Sequence, residues 1–249
     1  MRGEFKTQVN FMLMNSFNTS NDTLTFLQKY PELVNDPKIE LMQNKVPKIV
    51  KSTLEPAAWT ANPHLEWCPP GHGDLYSSLY GSGKLDALLS EGVKYMFVSN
   101  SDNLGATLDT GTSLHAVVNK ESYCSLVLLF LPFCIADLLA YFVSSDMPFL
   151  MECCTRTEAD KKGGHLALRE ADKQLILRES AQCAKADEPM FQDITKHKFF
   201  NTNNLWVRLD LLKQLMDSKG GFVPLPTILN GKTVDPQQDT STPVWQLEV

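Results

Sequence analysis

The chain has 249 residues, 43% of them hydrophobic, enough for one sizeable core or one core with an appendage. A formal net charge of −6 argues against duplex nucleic acid or an anionic membrane as the main partner, so an anionic ligand needs local help from helix N-termini, a cation or single basic residues. The six cysteines (Cys68, Cys124, Cys134, Cys153, Cys154, Cys183) include no CxxC pair, which fits reduced thiols in the cytosol, and the start of the chain carries no secretory signal.

In chain order, residues 9–14 are expected to form a short apolar strand, broken by "NSFNTSND" before a helix over residues 23–30 capped by Asn21 or Asp22. In "WCPPGHGDLYSSLYGSGKLDALLSEG" the prolines, Gly71 and Gly73 enforce a turn, and Asp74 is placed to cap a helix beginning at Leu75. Residues 84–90 make a second helix closed by Gly92, and residues 94–99 follow as a strand. This succession predicts an α/β layered sheet. Ligands of such sheets lie beyond the carboxyl ends of strands, where residues 100–103, "NSDN", offer the amide of Asn100 and the carboxylate of Asp102, a hard oxygen ligand for Mg2+. An Asx-type turn that merely ends the strand fits the same string.

Residues 149–155 read as a further strand, and "ADKKGGHLA" places Gly163 and Gly164 in a tight turn before another. "KFFNTNNLWVRLDLLKQLMD" predicts an Asn-rich loop, a strand at 205–209 and a helix from about Asp210; the stretch beyond Gly220 reads as loop, with Asn230-Gly231 as a candidate hairpin turn. "PPGHGD" suits close backbone approach to a base or phosphate, with His72 able to donate to a sugar phosphate, but it is equally a turn and a cap. "KKGG" and the trio Asn201, Asn203 and Asn204 could meet sugar hydroxyls or could be plain loop chemistry. Glu152 and Glu179 stand open between ligand contact and a solvated sheet face. His165 and His197 have no zinc-ligand spacing, and no Ser-His-Asp or Cys-His arrangement is present.

Taken in order, "VNFMLMNSFNTSNDT", Gln43, "CPPGHGDLYSSLYGSGKLDALLSEGVKYMFVSNSDNLGATLD", "TRTEADKKGGHLA", "ESAQC" and "FFNTNNLWV" resemble the UDP-glucose pyrophosphorylases, or UTP:glucose-1-phosphate uridylyltransferases. The resemblance covers most of the chain, and its "CPPGHGD" to "SNSDNLGATLD" block sets the chain apart from the related UDP-N-acetylhexosamine pyrophosphorylases. It implies a nucleotidyltransferase domain of the glycosyltransferase-A type, a mixed sheet sandwiched by helices. It further implies that Gln43 and Gly71 contact the uracil and that His72 meets the phosphate region. Asn100, Ser101 and Asp102 would line the active site, with Asp102 as catalytic residue and ligand of Mg2+, while Gly164, Glu179 and Asn204 hold glucose hydroxyls. The implied reaction is attack of glucose 1-phosphate on the α-phosphorus of UTP, giving UDP-glucose and pyrophosphate in the cytoplasm. Such chemistry rests mostly on positioning and charge neutralisation.

Three departures from the family pattern shape the remaining expectations. The family's glycine-rich loop, LNGGLGTxMGxxGPK, has no counterpart here, and the family's later lysine and carboxyl-terminal β-helix domain have none either. Residues 1–249 are therefore expected to be a partial catalytic domain, incomplete at both ends and inactive alone; the alternative is a non-catalytic uridine-nucleotide or nucleotide-sugar binding module. Between "NLGATLD" and "DLLAYFVSS" stand about 26 residues, at about 110–135, that the family pattern lacks, and these are expected to be foreign to the evolved fold. Their apolar part is shorter than the ~20 residues that span a bilayer, so no membrane span is expected.

Overall fold

The computed structural model describes residues 9–103, 115–118, 126–129 and 135–249. Its elements in chain order are β1 (Leu13–Asn15), α1 (Ser20–Leu27), α2 (Pro31–Val34), β2 (Glu40–Met42), β3 (Val46–Pro47), β4 (Ile49–Val50), β5 (Trp67–Cys68), α3 (Asp74–Gly81), α4 (Lys84–Ser90), β6 (Tyr95–Val98), β7 (His115–Val118), β8 (Leu126–Leu129), α5 (Ile135–Ser144), β9 (Phe149–Thr155), β10 (His165–Leu168), β11 (Leu175–Arg178), α6 (Glu188–Phe191), β12 (Phe199–Arg208), α7 (Leu209–Ser218), β13 (Ile228–Thr233) and β14 (Pro243–Glu248). They fall into two compact units, Met1–Asp86 with Met216–Val249, and Ala87–Leu215.

In the first unit, β1 and β2 run parallel, and α1 and α2 make the crossover that parallel strands require. Asn15 ends β1 with its buried amide bonded on both sides: Nδ2 donates to Glu40 Oε1 at 2.7 Å and Oδ1 accepts from Thr23 Oγ1 at 3.0 Å. Thr19 is the N-cap residue of α1, so Asn21 and Asp22 lie inside its first turn and not at the cap expected for them. The stretch beyond Gly220 is not all loop. β13, β14 and β4 form an antiparallel sheet over Ala57, Val234 and Val244. Asn230 and Gly231 stand within β13, opposite Gln246 and Trp245, not at a hairpin turn. The glycine answers a packing need, because a Cβ there would lie 2.7 Å from the Lys51 Nζ that sits 4.2 Å over the Trp245 ring.

The second unit is built on a seven-stranded sheet in the order β11-β10-β12-β9-β8-β7, with β6 also paired to β12. β8 runs parallel to β9, and the other pairings are antiparallel, so the sheet is mixed as expected. The expected Asn-rich loop is instead part of β12, whose register slips between Asn201 and Leu205. Asn203 takes the left-handed conformation there, φ 58°, which asparagine tolerates better than most residues. Leu138 and Phe142 of α5 pack on Leu150 of β9 and Trp206 of β12, each of the four nearly or fully buried. Burial of side chains this size stabilises by about 1.5–3 kcal/mol each. Leu209, Leu212 and Met216 give α7 its buried stripe at helical spacing.

Within the insertion expected at about 110–135, the described stretches are the strands β7 and β8; the rest of that expectation lies outside the described residues. Among the described residues the cysteines Cys68, Cys153, Cys154 and Cys183 are free, and no helix is long and apolar enough to cross a membrane.

His165 gives the second unit an acid-sensitive point. Its side chain is fully buried, stacked 4.0 Å from the His197 ring and edge-on to Phe191 at 4.5 Å, with Nε2 unpartnered. Burial, aided by the neighbouring His197, holds the imidazole down to about 4. The unfolded chain protonates this residue near 6.5, so the folded state loses stability as pH falls through about 6.5, and the loss is complete near 4. Glu152 and Glu179, raised by burial, act with the opposite sign, so a difference measurement is needed. His165→Phe is expected to flatten the fall in urea midpoint between pH 6.5 and 4 relative to the wild type; an unchanged slope would contradict this assignment.

Candidate functional site

Asn15 and Gln43 stand at the carboxyl ends of the two parallel strands of the first unit, where ligands of α/β sheets bind. The Gln43 N–H donates to Asn15 O at 2.8 Å, which sets the backbone. The Gln43 side-chain Oε1 is buried without a hydrogen-bond partner. A buried acceptor left unpaired costs about 1–3 kcal/mol, which a ligand N–H recovers.

Asp74 holds this loop in place. It is the first residue of α3, with Gly73 as N-cap, and makes none of the side-chain cap expected of it. Its carboxylate instead accepts from the Asn44 N–H at 2.7 Å, from Asn44 Nδ2 at 2.8 Å and from Ser78 Oγ at 2.7 Å. Gln43 is thereby fixed beside the turn that opens α3. Gly71 takes φ +92° in that turn, a conformation that side chains resist, and His72 is exposed on it. The Gly73 N–H donates to Val249 O at 2.7 Å, and a methyl on Gly73 would lie 2.6 Å from the Val249 carbonyl carbon.

In the second unit β6 runs into residues 100–103, a turn closed by the Asn103 N–H on Asn100 O at 3.1 Å. Asn100 is half-buried, and Ser101 and Asp102 are exposed. Asn103 Nδ2 donates to Asn204 Oδ1 at 2.9 Å, and Asn204 Nδ2 donates to Glu152 Oε2 at 2.8 Å. Trp206 Nε1 donates to Glu152 Oε1 at 2.7 Å. Glu152 is only 2% exposed, so it faces neither solvent nor a ligand directly. Burial pushes its carboxyl up, and the hydrogen bonds from Trp206 and Asn204 pull it back. Asn204 is itself buried and its side chain is bonded at both ends, which leaves one amide hydrogen beyond those two bonds.

Gly164 and Glu179 meet across the β10–β11 pair, where His165 stands opposite Arg178. A methyl on Gly164 would collide with the Glu179 carboxylate, lying 2.7 Å from its Cδ, and burial pushes the Glu179 carboxyl up. Arg156 moulds the turn before them. Its buried guanidinium donates to the carbonyls of Lys161 at 2.6 Å, Phe191 at 3.0 Å and Asp160 at 3.3 Å. Asp160 accepts from the Thr157 N–H at 2.8 Å, closing a capping box.

Among the described residues no group of three or more His, Cys, Asp or Glu is arranged to hold a metal. Mg2+ commonly takes one or two carboxylates and draws its remaining ligands from water and substrate phosphates. A single exposed carboxylate at a strand end, as Asp102 is, fits that arrangement and not a protein cage. Asp74 and Arg156 are structural partners that motif reading did not assign to the site, and it gave Asn103 and Glu152 no role in holding other residues. Each acts on a residue distant in sequence or on backbone carbonyls, which leaves no local signature.

The second unit is an α/β unit built on a mixed sheet, with polar residues 100–103 following the end of β6. The family described as UTP--glucose-1-phosphate uridylyltransferase matches residues 1–128 and 135–249, and the chain belongs to that family. The Solanum tuberosum UTP--glucose-1-phosphate uridylyltransferase is 38% identical over 238 residues, 94% of this chain and 44% of that protein. The Hordeum vulgare protein of the same name is 37% identical over 93% of this chain and 43% of its own length. Among solved structures, UDP-glucose phosphorylase from Trypanosoma brucei superposes with a TM-score of 0.85 at 50% identity, over 100% of this chain and 48% of that one. A variant of UDP-glucose pyrophosphorylase from Leishmania major in complex with UDP-glucose gives 0.83 at 50% identity, over 100% of this chain and 49% of that one. The chain thus spans less than half the length of these relatives.

The paired glycines separate fold from site. At Gly163 a methyl would overlap the Phe200 ring within β12, whereas at Gly164 it would displace only the end of the Glu179 side chain. Gly163→Ala is expected to lower stability by about 1–3 kcal/mol, and Gly164→Ala by less than about 1 kcal/mol. Thermal melts of the two variants check this, and the reverse order would contradict the geometry.

Proposed function

We propose that this chain supplies nucleotide- and sugar-binding residues to uridylyl transfer between UTP and glucose 1-phosphate, a Mg2+-dependent cytoplasmic reaction of carbohydrate metabolism that forms UDP-glucose and pyrophosphate, and that it is inactive alone. The observation that carries the reading is the unpartnered Gln43 Oε1, buried beside the Gly71 turn. Uracil presents an N3–H to such an acceptor. Gly71 takes a left-handed backbone in the turn that opens α3. The names of the family and of its relatives point to the same nucleotide and sugar.

In this reading His72, exposed on its turn, donates to a phosphate oxygen, and Asn100 and Ser101 orient phosphate at the end of β6. Asp102 holds Mg2+, which when bound neutralises charge on the transferring group. Glu179 accepts from a glucose hydroxyl over Gly164, which has no side chain to intervene, and Asn204 contributes its remaining amide hydrogen. The glucose 1-phosphate oxygen attacks the α-phosphorus, the bond to pyrophosphate breaks, and the residues hold the two reactants in line.

Calorimetric titration with UDP-glucose tests the assignment. The wild-type chain is expected to bind it, and Gln43→Ala to weaken binding about tenfold, the worth of one hydrogen bond in a dry site, while the variant still unfolds cooperatively. Absent binding, or an affinity indifferent to Gln43, would overturn the reading.

A further inference from the structure

We propose that Glu152 is a positioning residue for the Asp102 turn: its carboxylate sets the direction of a hydrogen-bond relay, Trp206–Glu152–Asn204–Asn103, that holds residues 100–103. The inference rests on the reading of Asp102 as the Mg2+ ligand, and its test separates the two.

The relay has two ends whose polarity cannot change. The indole N–H of Trp206 can only donate, and it points at Glu152 Oε1 from 2.7 Å. The carbonyl of Thr202 can only accept, and Asn103 Nδ2 faces it at 3.4 Å while donating to Asn204 Oδ1 at 2.9 Å. Between these ends lie two amides, each able to present oxygen or nitrogen either way round. An ionised carboxylate accepts on both oxygens, so Asn204 must turn Nδ2 towards Glu152 and Oδ1 towards Asn103. Asn103 must then donate from its side chain, and its own N–H closes the turn on Asn100 O. Asp102, with Ser101, lies between Asn100 and Asn103. A second tie joins the same elements: Thr202 Oγ1 donates to the Glu152 carbonyl at 2.8 Å.

A glutamine at position 152 keeps the shape and breaks the polarity. With its oxygen on Trp206, its NH2 faces the Asn204 NH2; relief requires Asn204 to flip, and Asn103 then loses its acceptor. A carboxylate at position 204 repairs the mismatch, because it accepts from the new amide on one side and from Asn103 on the other. The double variant Glu152→Gln with Asn204→Asp should therefore restore the relay, which a purely space-filling role for Glu152 does not predict.

Two readouts are taken on the whole chain. The first is the Asn103 side-chain NH2 signal by 15N NMR, which needs no metal and no turnover. The second is Mn2+ affinity in saturating UDP-glucose, read by electron paramagnetic resonance. Glu152→Gln is expected to shift the Asn103 signal and speed its solvent exchange, and to weaken Mn2+ about tenfold or more, as loss of an outer-shell partner does. The double variant is expected to return both. Asp102→Asn should abolish Mn2+ binding while leaving the Asn103 signal in place. Mn2+ binding indifferent to Asp102 overturns the metal reading, and the Asn103 signal then decides the relay. Glu152→Gln with both readouts unchanged, or a double variant no better than the single, overturns the relay. If Glu152→Gln fails to fold, Asn103→Ala cuts the relay at its half-buried end and must reproduce the loss of Mn2+ affinity. A wild-type Asn103 amide exchanging as fast as a free one overturns the proposal in every case.

Discussion

A carboxylate shut inside a sheet has to be answered by donors or it destabilises the fold by several kcal/mol. Glu152 is answered by Trp206 and Asn204, and much of the second unit follows from that arrangement. Trp206 belongs to the apolar cluster with Leu138, Phe142 and Leu150, so one oxygen of Glu152 is tied to the core. The other oxygen is tied, through Asn204 and Asn103, to the end of β6. The register slip in β12 lies between Asn201 and Leu205, where the chain must bring Asn204 inward while Asn203 takes a left-handed φ. Packing and site geometry are thus two ends of one polar chain.

The first unit uses the same device with a different acid. Asp74, also buried, accepts three hydrogen bonds from Asn44 and Ser78 and so locks the loop carrying Gln43 to the start of α3. What it leaves unsatisfied is informative. Lys48, buried in the same unit, finds the Val234 carbonyl at 2.8 Å, whereas Gln43 Oε1 finds nothing. A buried acceptor with no partner in the fold is open to a ligand or an ordered water.

Hydrophobic periodicity and turn residues carried the fold a long way. The strand at residues 149–155, the helix at 84–90 and the α/β layering follow from runs that bury themselves locally, while the mixed sheet came from family resemblance. The failures have a common cause, which is a partner far away in the chain. Asp74 looked like a cap because its neighbours are a turn and a helix, yet its partner Asn44 stands 30 residues earlier. Asn230-Gly231 looked like a hairpin turn, but the two pair with Gln246 and Trp245 inside a strand. The Asn-rich stretch looked like loop because asparagine suits strands poorly, and cross-strand pairing with β9 and β10 overrode that preference. Of the site, Gly71, His72 and the 100–103 turn stood in a recognisable string. Gln43 stood in none and came from family resemblance; its orphaned oxygen is visible only once the chain is folded.

The most direct measurement is a crystal structure of the chain with UDP-glucose bound. The account predicts the uracil N3 within about 3 Å of Gln43 Oε1, the usual N–H···O distance, and a glucose hydroxyl on Glu179 above Gly164. A bound nucleotide with its base elsewhere, and Gln43 Oε1 still unpaired, would contradict it.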